Sequence, residues 1–473
     1  MKKSVVPILL GAFLAVATSA FAAARPSVTH YSLRVQLFLK EERLEADAEI
    51  SVRNTTQTPH QEIPFLLYRL LEVASVQDAN GKPLKFTQAI ARDADERNLQ
   101  VNYVRLRLPQ PLLPGASTTV RMKYGGSVYG YPEVWRYVRD TVNEDYTLLR
   151  EDSLFYPVLA RPSREGRAGI LDRKFTYDVD VTAPSGYVVA AGGLWKETRE
   201  EGGRTRFLYA SRVLTWRIDV AAAKFVLLRD AENELTVYVL PEHAEGGRNV
   251  LEGMKRAVAL YSRWFGPPRY RGYTAIEIPD GWGSQAAEFY FLQTAAAFTK
   301  PERMSEVYHE IAHTWSPKAK PEVQRCRWFD EAFASYFESL ALREFQGQQA
   351  FADDMENSRR IFLKWVEADQ RHADTPIVDY GKQEMGGLSY TKGAWALYVL
   401  HELLGEETFL HLVRQLLAEY GERGANFRDF QELAERVAQR PLESYFREWL
   451  NGSESSRLLI EGAPIEKIVA RYK

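Results

Sequence analysis

Cysteine is almost missing from this sequence: Cys326 stands alone among 473 residues. A chain with one thiol forms no internal disulfide, and it lacks the thiolates that usually close a structural zinc site. An excess of one charge is missing too. Lys and Arg number 61 against 63 Asp and Glu, a net charge of −2, which leaves no basic surplus for holding nucleic acid. Long apolar runs are missing except at the very start, and no tandem repeat or low-complexity tract interrupts the chain. At this length two or three domains are expected, with a core large enough to manage without disulfides.

Residues 1–23 read as a signal peptide. Lys2 and Lys3 precede an apolar run from Val5 to Ala17, and Ser19-Ala20-Phe21-Ala22-Ala23 offers small residues for cleavage. The segment is set apart from the fold, and the expected destination is the periplasm or secretion from a bacterial cell, with no stable membrane insertion after cleavage. An uncleaved anchor is the alternative, because apolar character runs on to Ala24.

Residues 24–229 alternate in short stretches. Tyr31, Leu33, Val35 and Leu37 point one way and Ser32, Arg34 and Gln36 the other; Val104-Arg105-Leu106-Arg107-Leu108 repeats the scheme. Turns at Asn80-Gly81, Pro114-Gly115 and Glu201-Gly202-Gly203 separate the strands, so a β-sandwich-like domain is expected. Residues 230–300 are mixed: a strand at Leu235-Val237-Val239, a helix from Val250 to Phe265 ended by Gly266-Pro267-Pro268, and a strand from Thr274 to Ile278. Residues 301–473 read as helical, with apolar helices ending at Gly405 and spanning Phe409 to Tyr420, Phe427 to Ala438 and Leu442 to Leu450. The fold class is α+β and multidomain, β first and helices last.

One stretch asks for chemistry rather than packing. Tyr308-His309-Glu310-Ile311-Ala312-His313 follows Pro301, which suits a helix start, and precedes Pro317, which stops one. On a helix His309 and His313 leave the same face one turn apart, the spacing at which two imidazoles reach one Zn²⁺, and Glu310 stands beside them within reach of a water. A catalytic zinc takes three protein ligands and leaves a position open. Glu331, after seventeen intervening residues and bracketed by Trp328, Phe329 and Phe333, is the expected third. Glu338, seven residues on along the same helix face, is expected to orient a ligand histidine.

These residues resemble the gluzincin zinc aminopeptidases, the group that includes membrane alanyl and puromycin-sensitive aminopeptidases. The family pattern is HEXXH, eighteen intervening residues, then Glu in a Trp-Leu-Asn-Glu-Gly-like run. Here the gap is one shorter, Asp330 stands for the Asn and Ala332 for the Gly. The shorter gap is expected to be absorbed between Ser316 and Arg327. Ser389-Tyr390-Thr391-Lys392-Gly393 resembles the family's Tyr-x-Lys-Gly segment, which implies that Tyr390 bonds the oxyanion. Gly283 to Tyr290 occupies the place of the family's Gly-Ala-Met-Glu-Asn strand. There Ala286 would face substrate backbone and Glu288 would hold a free α-ammonium, or Glu288 is a solvated edge residue.

The resemblance implies a saddle-like N-terminal β domain and a thermolysin-like catalytic domain with a small sheet and a helical lobe. The large helical C-terminal domain of many relatives has no counterpart after Trp449. It further implies one Zn²⁺ per chain, peptide substrates and aminopeptidase activity. An endopeptidase that ignores the N-terminus, and an exported peptide-binding protein that has lost turnover, are the alternatives. Nothing in the sequence indicates an oligomeric state.

Overall fold

The structure is a computed structural model that describes residues 26–163, 174–269 and 271–473. The expected signal peptide lies outside the described residues. Among those described, no helix is long and apolar enough to cross a membrane.

Period-two alternation builds the first part of the chain. Strand Ser27–Phe38 buries Tyr31, Leu33, Val35 and Leu37 and sits mid-sheet, antiparallel to Arg43–Arg53 and parallel to Thr176–Pro184. That seven-stranded sheet and a four-stranded sheet centred on Gln100–Leu112 and His60–Tyr68 share one apolar core, so side chains of alternate residues meet between two layers. The expected turns are in place, with positive φ at Gly81, Gly115, Gly202 and Gly203.

A five-stranded sheet begins the second part, in the order Val226–Asp230, Leu235–Val239, Tyr273–Ile278, Tyr290–Thr294 and, at its edge, Gln285–Ala286. The expected division at 229/230 falls inside the first of these strands, which pairs along its length with Leu235–Val239. Helix Ala244–Phe265 covers the sheet and starts six residues before the Val250 expected from the sequence. Gly246 and Gly247 hide that start, since glycine weakens a helix. Gly246 is needed because a Cβ there would come within 1.7 Å of the Phe298 carbonyl oxygen.

The helical lobe then packs around Trp328, Phe329, Phe333, Phe337, Phe427 and Phe430, whose rings meet mostly edge to face or tilted, with Phe329 and Phe333 stacked. Helix Lys392–Leu404 runs through this core, with Gly405 in positive φ just past its end. The expected helix Leu442 to Leu450 is a short α-turn, Glu443–Phe446, followed by a π-turn, Arg447–Asn451.

The two parts meet through buried polar contacts. The Arg150 guanidinium, paired with Asp140, donates to the Trp282 carbonyl at 2.7 Å. Arg217, paired with Asp219 and Asp152, donates to Gln285 Oε1 at 2.7 Å, and Thr215 Oγ1 donates to Glu288 at 2.7 Å. The β domain thus holds residues 282–288 of the second part in place.

One core group is costly. Lys392 is fully buried at the first turn of its helix, where the backbone N–H groups already carry positive potential, and its ammonium donates to Ser456 Oγ at 2.8 Å. Burial pushes its pKa down to about 7, with only Glu454 opposing. The unfolded chain therefore binds the proton more tightly between about pH 7 and pH 10, and stability rises with pH across that window. Lys392→Met is predicted to stabilise the protein on the order of 2–4 kcal/mol at pH 6, a gain that shrinks toward zero near pH 10. Denaturant midpoints at the two pH values measure it.

Candidate active site

Helix Met304–Ala312, extended by a 3-10 turn His313–Trp315, buries Val307, Tyr308, Ile311 and Ala312 against the sheet helix and the next helix. Its opposite face turns His309, Glu310 and His313 toward a cleft of about 1610 Å³. The imidazole centroids are 4.9 Å apart.

The segment from Ser316 to Arg327 brings the chain back to this face. A bridge between Ala319 and Ala425 anchors it, a 3-10 turn covers Gln324–Cys326, and Arg327 takes the left-handed conformation at φ 59°. Trp328–Ala332 then forms one π-turn before helix Phe333–Gln346 begins. A π-turn re-aims side chains that an α-helix would hold in register. Here Trp328 and Phe329 go into the core and Glu331, only 3% exposed, goes toward the histidines.

His309, His313 and Glu331 each offer one ligand atom, all within 4.8 Å of one another. Glu331 Oε2 lies 3.3 Å from His309 Nε2 and 3.6 Å from His313 Nε2. The other nitrogens are fixed by carboxylates: His309 Nδ1 lies 3.1 Å from Glu338, and His313 Nδ1 lies 2.8 Å from Asp330. Donation from each Nδ1–H leaves each Nε2 with a lone pair facing the common point, the tautomer a metal requires. Burial opposes charging the imidazoles, but Glu331 and Glu338 at His309, and Asp330 at His313, outweigh it and raise both pKa values. Three carboxylates around two imidazoles make a place for positive charge, and the donor set fits a zinc ion.

Arg327 completes the group, pairing with Asp330 at 2.8 Å and with Glu331. Burial opposes ionisation of Glu331 and so does Asp330, yet Arg327 and the histidines keep its pKa low. Asp330 is held well below the usual carboxylate range, because His313 and Arg327 overcome its burial. Neither Arg327 nor the Asp330–His313 contact was visible in the sequence. The one available signal was an acid next to Glu331 on a packed, aromatic-rich turn.

Glu310 faces the cleft, and its pKa is raised because burial outweighs the nearby histidines. Tyr390 borders the same cleft and stacks on His309 with ring planes 10° apart and centroids 5.8 Å apart, and it is 41% exposed. Burial of the hydroxyl and the charge of Glu331 raise the tyrosine pKa, so the phenol keeps its proton. Ser389 Oγ, donating to the Cys326 carbonyl at 2.7 Å, holds the tyrosine turn on the loop that delivers Glu331. Gly393 lets the two approach: a Cβ there would meet the Ala332 Cβ at 2.9 Å and Trp328 Cδ1 at 3.0 Å.

Ala286 lies on the edge strand Gln285–Ala286, which pairs with Tyr290–Thr294 at the end of its sheet and whose residues line the cleft. Glu288 is not on that strand but in the tight turn after it, closed by the Ala287 N–H donating to the Tyr290 carbonyl. Burial raises its pKa, against the Thr215 hydroxyl bond. All eight expected site residues, Ala286, Glu288, His309, Glu310, His313, Glu331, Glu338 and Tyr390, therefore border one cleft. Thr215 and Arg217, from the β domain, were not foreseen.

Residues 287–449 match the Peptidase family M1 domain. The chain is 24% identical over 285 residues to the "Probable aminopeptidase 2" of Sulfurisphaera tokodaii, covering 54% of this chain and 35% of that protein. It is 21% identical over 462 residues to human glutamyl aminopeptidase, covering 89% and 46%. The chain thus spans about half or less of the curated relatives it matches. In fold it is similar to the M1 zinc metallopeptidase of Deinococcus radiodurans, with a TM-score of 0.62 and 18% identity over 93% of this chain and 94% of that one. A mutant of that metallopeptidase bound to a Tyr-Ser-Ala substrate superposes with a TM-score of 0.61, at 19% identity over 93% and 95%. The span that matches the family model holds His309, His313 and Glu331, the three residues able to share one metal ion.

Proposed function

We propose that the protein is a zinc-dependent peptidase that removes residues from the N-terminus of peptides. The observation that carries the reading is the convergence of His309, His313 and Glu331 on one point of an open cleft, with Glu310 and Tyr390 on either side. Zinc held there supplies Lewis acidity, which makes water acidic enough to lose a proton near neutral pH and a carbonyl easier to attack.

The chain's own residues do the rest. Glu310 takes the proton of the attacking water and hands it to the departing amine as the C–N bond breaks. Its raised pKa suits a group that must both accept and return a proton. The Tyr390 hydroxyl, still protonated, donates to the carbonyl oxygen as that atom gains charge. Ala286 offers backbone hydrogen bonds from a free strand edge, and Glu288, one oxygen fixed by Thr215, turns the other toward the substrate ammonium. An endopeptidase reading is favoured only by the size of the cleft, which exceeds the usual few hundred to about 1,000 Å³ of a small-ligand pocket.

Three outcomes are expected. Glu310→Gln keeps one zinc per chain by metal analysis and loses about 10²–10⁴ in kcat on a peptide panel, and a chelator abolishes the wild-type turnover. Wild-type turnover in the Gln variant would sink the assignment. Glu338→Gln weakens zinc binding by about 10–100-fold in chelator competition, since His309 loses its orienting charge. N-acetylation of a good peptide removes most of its kcat/KM, and Glu288→Gln removes most of that discrimination; equal cleavage of free and acetylated peptides would instead establish an endopeptidase.

A further inference from the structure

Basic side chains also line the cleft. Lys318, five residues past His313, Arg269 and Lys174 all border the cavity, and the acid paired with this group is Glu422. Lys318 Nζ lies 3.1 Å from Glu422 Oε2, and Arg269 Nε lies 3.9 Å from Oε1. Glu422 is 84% exposed at its side chain, whereas Lys318 and Arg269 are only 32% and 24% exposed. The acid is loosely held, Lys318 and Arg269 are the enclosed cations, and Lys174 is exposed.

The cations are fixed from several directions. The Ala425 N–H donates to the Lys318 carbonyl at 2.8 Å, the Lys320 N–H donates to the Ala425 carbonyl at 2.9 Å, and Arg269 Nη2 donates to the Gly421 carbonyl at 2.8 Å. Burial lowers the Lys318 pKa, Glu422 opposes this, and Arg269 and Lys174 lower it further. Lys318 and Arg269 against Glu422 leave one positive charge in surplus at the cleft wall, while Lys174 is shared between Glu422 and Glu288.

Resting on the peptidase reading, we infer that Lys318, Arg269 and Lys174 form a subsite for a substrate carboxylate downstream of the scissile bond. Lys318 stands five positions past His313, so their Cα atoms are no more than about 18 Å apart. Two residues beyond the scissile carbonyl carry an extended peptide about 7 Å further, and a long lysine side chain covers much of the remainder. The carboxylate is then that of a third residue, either the chain end of a tripeptide or an acidic side chain. It displaces Glu422, the exposed competitor, and exchanges one ion pair for another in a partly desolvated place where charge pairs are stronger than on open surface. The subsite gives the cleft a preference for short peptides with a free C-terminus.

Binding and cleavage are read separately. Calorimetry on the zinc-loaded Glu310→Gln protein compares Ala-Ala-Ala, its C-terminal amide, and Ala-Ala-Glu amide. The acid is expected to bind at least fivefold more tightly than its amide. Lys318→Met should bring that ratio to about 1, and Glu422→Gln, which removes the competing acid, should widen it. The opposite signs of the two variants cannot come from a merely structural effect. Ala-Ala-Glu amide binding like the acid assigns the site to any third-residue carboxylate; binding like the amide assigns it to the chain end. Equal binding of acid and amide, or a ratio that Lys318→Met leaves unchanged, overturns the inference. Failure of the wild-type protein to cleave any of the three peptides would defeat the peptidase reading alone, because the binding ratio stands without it.

Discussion

The arrangement depends on a buried carboxylate that has to be paired. Glu331 is almost wholly removed from water, and an unpaired carboxylate in such a place costs several kcal/mol. The chain surrounds it with two imidazoles and the Arg327 guanidinium, and holds the imidazoles in turn with Glu338 and Asp330. Such a ring of alternating charges is strong only when complete. It also explains the local backbone, because a π-turn entered from a left-handed arginine is what lets Trp328 and Phe329 enter the core while Glu331, two residues later, leaves it.

The N-terminal sandwich serves the same cleft from the other side. Arg150, Thr215 and Arg217 lie on or beside its strands, and each bonds a residue between Trp282 and Glu288. The edge strand that would receive a peptide is only two residues long, too short to hold its own register. Buried ion pairs from the neighbouring domain supply the rigidity that strand length does not. The two domains therefore share one cleft, with the metal-ligating side chains on the helices and the short edge strand clamped by the sandwich.

What the sequence made legible was local. His309 and His313 stand at helical spacing, and Glu338 lies two turns beyond Glu331, so their geometry follows from one period; the alternation of Tyr31 to Leu37 likewise announces a strand. What it hid was either non-local or locally irregular. No pattern states that Ser27–Phe38 pairs in parallel with Thr176–Pro184, or that Thr215 will meet Glu288 across 73 positions. The role of Asp330 was hidden for another reason: on a regular helix it would point about 100° away from Glu331, and only the π-turn brings both carboxylates to the histidines. Gly246 misled for a third, since a glycine chosen for close approach to Phe298 reads in sequence as a helix breaker.

The central claim is that His309, His313 and Glu331 hold one zinc ion at a site with an open position. Crystals of the protein grown with zinc, with diffraction recorded on both sides of the zinc absorption edge, test it most directly. The account predicts a single strong anomalous peak within about 2.0–2.2 Å of Nε2 of both histidines and of a Glu331 oxygen. Zinc found elsewhere, or Glu331 turned away from an ion bound by the histidines, would contradict it.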